Sequence, residues 1–119
     1  MTTTLSGAAL KVELTGLGLA PSWFANRLGV TMRTVVRWFD GASVAPEVIA
    51  ELEKLTEATL SEMKKLVAEV DDDGDVTLTT YRTDKEFKSA WPAEWHRALV
   101  FRVADHFRAQ GRVVHVEYR

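Results

Sequence analysis

Apolar positions recur at helical spacing through the first half of the chain and give way to short alternating runs near the end. Leu10 and Leu14 stand one helical turn apart, Ser6 is a suitable cap and Gly18 a suitable stop, which predicts a helix over 7–17. Pro21 fits the first position of a second helix whose buried face is Phe24, Ala25 and Leu28, closed by Gly29. Thr31 caps a third, reaching about Phe39, with Gly41 as its stop. From Pro46, the positions Val48, Ile49, Leu52, Leu55, Thr59, Leu60, Met63, Leu66, Val67 and Val70 recur at three and four. They predict one helix of about 24 residues, about twice the globular mean. A helix that long crosses from one unit to another or packs on a partner.

The run Asp71, Asp72, Asp73, Gly74, Asp75 breaks that helix, and a β-α-α-β pattern follows. Residues 76–81 and 113–118 read as strands. Thr83 and Glu86 form a capping box for a short helix, and Pro92 opens another that runs to about Gln110 before Gly111. The expected fold is mainly α with a small α+β tail. A helix-turn-helix head covers 1–45, a linking helix 46–70, and a β-α-α-β dimerisation domain 71–119.

Composition narrows the classes. Of 119 residues, 46% are hydrophobic and 27% charged, ordinary for a globular chain, and there is no Cys for a disulfide, a thiolate nucleophile or a cysteine zinc site. No stretch approaches the roughly 20 apolar residues of a membrane span, and Met1-Thr2-Thr3-Thr4 lacks the basic start of a signal peptide, so a cytoplasmic protein without membrane contact is expected. The net charge of −2 conceals a division along the chain. Residues 1–45 hold four basic and two acidic side chains, residues 46–75 three and ten, and residues 76–119 eight and five. The acidity sits in the middle, leaving a basic head able to meet phosphate.

Residues 24–38 carry the candidate chemistry. A helix-turn-helix needs a small residue where its helices cross (Ala25), a turn residue tolerant of positive φ (Gly29), a polar cap (Thr31), and apolar residues four and seven positions on (Val35 and Trp38). Met32, Arg33, Val36 and Arg37 are left on the outer face of a helix sized for the DNA major groove. Arg holds guanine O6 and N7 with two hydrogen bonds, and Met or Val meets a thymine methyl. Thr31 and Thr34, joined by Ser22 and Ser43, are the backbone-contact candidates, which position without reading sequence.

The stretch Leu28-Gly29-Val30-Thr31-Met32-Arg33-Thr34-Val35-Val36-Arg37-Trp38-Phe39-Asp40-Gly41, followed by Ala45-Pro46, resembles the lambda-repressor/Cro (Xre) helix-turn-helix superfamily over about residues 5–50. Phe39 stands where that superfamily usually has Glu, Ala42 where an Arg often contacts phosphate, and Ala20-Pro21 replace a polar cap and first-turn residue. With Tyr81, residues 84–87, Pro92 and Gly111 of the tail, the chain resembles more specifically the anti-CRISPR-associated (Aca) repressors with a C-terminal dimerisation domain and YdiL-like proteins. The resemblance implies a homodimer, joined through its C-terminal region, that binds inverted-repeat double-stranded DNA in a promoter and represses its own operon.

Other constellations give less. Glu69, Asp71, Asp73 and Gly74 open like a calcium loop, but Thr80 stands where a bidentate carboxylate is needed, so an aspartate-rich turn is expected. His96, His106 and His115 lack ligand spacing, and no Ser–His context supports catalysis; no metal, no cofactor and no enzyme activity are expected. Trp91, Trp95, Leu99, Val103 and Phe107 read as core or dimer surface, Trp38 as core, and Phe39 as packing on the long helix. Two other partners stay open: a toxin bound by the tail, making the chain an antitoxin, and an RNA hairpin met by the basic residues.

Overall fold

The computed structural model describes residues 5–119, so the reading of Met1 to Thr4 lies outside the described residues. The order is α1 (Gly7–Leu17), α2 (Pro21–Leu28), α3 (Met32–Phe39), α4 (Pro46–Ala68), β1 (Val76–Thr80), α5 (Asp84–Phe87), α6 (Ala93–Arg108) and β2 (Val114–Tyr118). This is the mainly helical fold with a β-α-α-β tail that the pattern predicts. No helix among the described residues is long and apolar enough to cross a membrane. The chain forms two compact units, one through Glu57 and one over Ala58–Arg119, with α4 contributing to each.

In the first unit the local signals act as read. The Ser6 hydroxyl accepts the Ala9 N–H at 3.0 Å, which starts α1. Gly29 closes α2 at φ +71°, and the N–H groups of Gly29 and Val30 reach back to the carbonyls of Asn26 and Ala25. Leu10, Leu14, Phe24, Val35, Trp38, Leu52 and Leu55 are among the buried apolar side chains. α3 packs on both α1 and α2. The start of α1 approaches α3 so closely that a Cβ at Gly7 would collide with the carbonyl oxygens of Trp38 and Phe39. Phe39 is half-buried, with the Lys11 ammonium of α1 5.8 Å from its ring centre.

In the second unit β1 and β2 pair in parallel, with Val76 opposite Val114, Leu78 opposite Val116 and Thr80 opposite Tyr118. The crossover between them carries both tail helices, and α6 buries Trp95, Leu99, Val103 and Phe107. The Trp95 indole N–H donates to the buried Thr59 hydroxyl at 2.9 Å, tying α6 to this unit's part of α4. Trp91 stacks on Trp95 with ring centres 4.1 Å apart. Asp84 of α5 caps α6, its carboxylate accepting the Ala93 N–H at 2.7 Å. Arg112 donates to the carbonyls of Asp71 and Gly74, so the acidic turn is closed by a cation from the far end of the unit.

Candidate nucleic-acid interface

An α-helix turns about 100° per residue, so Met32, Arg33, Val36 and Arg37 span one arc and Val35 and Trp38 the opposite one. Burial follows that division. Val35 and Trp38 are buried, whereas Met32, Arg33, Val36 and Arg37 are all exposed. The buried pair fixes α3 on α1 and α2, and its outer arc therefore has one orientation in the head. α3 has eight residues, a length of about 12 Å, comparable with the width of the major groove of about 12 Å.

At the start of α3, the Thr31 hydroxyl accepts the Thr34 N–H at 3.3 Å and lies 3.1 Å from the Thr34 hydroxyl. When the Thr34 hydroxyl donates to Thr31, the Thr31 proton is left to face an outside acceptor such as a phosphate oxygen. The structure thus joins Thr31 and Thr34 into one capping unit. Ser22, at the second position of α2, and Ser43, in the α3–α4 connection, are both exposed, and among the described residues no hydrogen bond links either to Thr31 or Thr34.

The head's cations divide into two sets. Arg27 is engaged: its Nε lies 2.9 Å from the Glu51 carboxylate, and its guanidinium is 5.8 Å from the Trp23 ring centre. Lys11 lies over Phe39. Arg33 and Arg37 have no acidic partner among the described residues, so their charge and donors face solvent. Charge counting along the sequence weights all four alike. Only packing separates the two that hold the head together from the two available to a ligand.

No family profile matches the chain, and no curated protein sequence matches it significantly.

The tail has its own buried polar site. His96 Nδ1 and Thr80 Oγ1 share a hydrogen bond at 2.7 Å, and both residues are buried. Burial lowers the His96 pKa, Arg119 adds to the lowering, and Glu62 opposes it. The neutral ring sits among Tyr81, Phe87 and Trp95. Nothing in the sequence separates this histidine from His106 and His115, which are exposed. Among the described residues, no group of three or more His, Asp or Glu is placed to hold a metal ion.

Proposed function

We propose that the protein is a sequence-specific, cytoplasmic transcriptional repressor that binds an inverted-repeat operator as a homodimer and controls its own operon. The observation that carries this reading is the outer face of α3: two exposed arginines, without acidic partners among the described residues, beside exposed Met32 and Val36 and backed by buried Val35 and Trp38. Arg33 and Arg37 would read guanine edges in the major groove, with Met32 and Val36 meeting thymine methyls. Thr31, Thr34, Ser22 and Ser43 would hold the DNA backbone.

One head offers few phosphate contacts and binds weakly alone. Two heads about 34 Å apart enter successive major grooves on one side of the duplex, and a site overlapping a promoter then excludes polymerase. This action needs no cofactor and no catalysis. The resemblance to Xre-type and anti-CRISPR-associated repressors points the same way.

Titration of the full chain against duplex DNA carrying its own upstream region, and against an RNA copy, tests the reading. Repression requires saturable duplex binding that weakens steeply with salt and survives non-specific competitor. Tight binding to an RNA hairpin with no duplex preference would replace it with the RNA-binding reading. A stable complex with a co-expressed toxin would replace it with the antitoxin reading.

A further inference from the structure

β2 is the least covered element of the tail. Val116 and Tyr118 are 46% and 55% exposed, although they stand in register with buried Leu78 and Thr80. α6 packs chiefly on β1 and leaves a groove of about 350 Å³ against β2, lined in part by Val100, Phe101, Ala104, Val116 and Tyr118. Phe101 is 61% exposed there. The backbone of β2 is equally open on one side. Val113 C=O accepts from Val76 N–H and Arg119 N–H donates to Thr80 C=O, which turns the odd-numbered residues of β2 toward β1. In a parallel ladder the alternate residues, Val114, Val116 and Tyr118, then direct their N–H and C=O groups to the free edge. Arg112 does not extend the series, because its N–H is taken by Phe107 C=O.

We propose that β2 pairs antiparallel with β2 of a second copy of this chain about a two-fold axis through Val116, giving a four-stranded sheet across the dimer. Outward residues can exchange hydrogen bonds only with outward residues. The register centred on Val116 is the one that uses all three, matching Val116 with itself and Val114 with Tyr118, for six hydrogen bonds. Side-chain pairing favours the same register. It sets His115, whose Nε2 already lies 3.1 Å from Asp75 of its own chain, opposite Glu117 twice, at the positions where facing side chains come closest. A shift of two residues one way sets Glu117 against Glu117, two like charges face to face, and the other way sets His115 against His115 with no carboxylate between them.

Side-chain chemistry agrees. The pairing continues one apolar row, Val114, Val116 and Tyr118, across the axis beside the open groove. Three strand spacings separate the two β1 strands by about 14 Å, against about 8–10 Å for helices in contact, and the two Phe101 side chains supply bulk for that gap. On β1, at the other sheet edge, the apolar residues Val76 and Leu78 are already buried, and the exposed side chains are Thr77 and Thr79. The pairing deepens the dimer half of the proposed function and does not depend on which nucleic acid is bound.

The chain contains no Cys, so one introduced thiol reports one contact. Light scattering of the full chain should give twice the chain mass, and diamide oxidation of Val116→Cys should convert it to a disulfide-linked dimer. Paired residues about 5.5 Å apart lie within disulfide reach. Thr77→Cys, on the opposite edge, should remain uncrosslinked. Val116→Pro removes an outward N–H that β1 does not use, so it should leave a folded monomer by circular dichroism and mass. A monomeric wild-type chain, a dimer in which Val116→Cys crosslinks no better than Thr77→Cys, or a folded Val116→Pro that stays dimeric would each overturn the pairing. In the last case the contact would move to the open face of Leu60, Met63 and Val67. Should Val116→Pro not fold, the crosslinking pair decides.

Discussion

Val35 and Arg37 stand two residues apart on α3 and face opposite ways, the valine without exposure and the arginine in solvent with no acidic partner among the described residues. That opposition makes their substitutions separable. Val35→Ala removes two buried methyl groups and should cost about 2 kcal/mol of stability. Arg37→Ala and Arg33→Ala should stay within about 0.5 kcal/mol of wild type, as exposed substitutions do. Chemical denaturation checks all three, and an arginine variant as damaging as Val35→Ala would place that arginine in the core.

The cap at the start of α3 supports both folding and the ligand face. Thr31→Ala loses the bond from the Thr34 N–H and should destabilise the head by about 1 kcal/mol, while Thr31→Ser should retain most of it. Nucleic-acid affinity measured well below the melting transition should drop modestly in Thr31→Ala if the hydroxyl also meets phosphate.

Gly7 is set by proximity rather than by turn geometry. A methyl there meets two backbone carbonyls at the end of α3, which cannot rotate aside. Gly7→Ala should cost about 1–3 kcal/mol and lower the melting temperature of the head. Gly16→Ala, with open space around it, should be neutral or slightly stabilising.

His96 gives the tail an acid sensitivity. Its folded pKa lies below the ordinary value of 6.5, mainly through burial. The unfolded chain takes up this proton as pH falls through about 6.5, the folded chain only at lower pH. Stability from the neutral ring is therefore complete above about 6.5 and is lost progressively as pH falls below it. Melting curves at pH 7.5, 6.5 and 5.5 should show a steeper decline for wild type than for His96→Gln. Equal slopes would mean that His96 does not carry the effect.

The head was legible because its signals are local. Ser6, Gly29 and Thr31 each act within four residues of where they stand, and the Val35–Trp38 spacing determines which side of α3 is covered. Non-local relations were not legible. Asp84 caps a helix nine residues away, and Arg112 closes a turn 38 residues before it. The parallel pairing of β1 and β2 depends on the crossover through α6, which periodicity alone does not reveal. Leu60 continues the apolar stripe of α4 yet is exposed, because a stripe marks which side seeks cover and not whether the same chain provides it. Among the candidate contacts, the α3 side chains follow from helical geometry, whereas the engagement of Arg27 by Glu51 required the tertiary structure.

The most direct test of the α3 face is selection of bound sequences from random duplex DNA, run in parallel with wild type, Arg33→Ala and Arg37→Ala. Wild type should enrich an inverted repeat with half-sites about 10–11 base pairs apart, and each variant should lose preference at one position per half-site while keeping the rest. The same enriched motif in all three proteins, or no motif in wild type, would contradict the assignment of this surface to DNA.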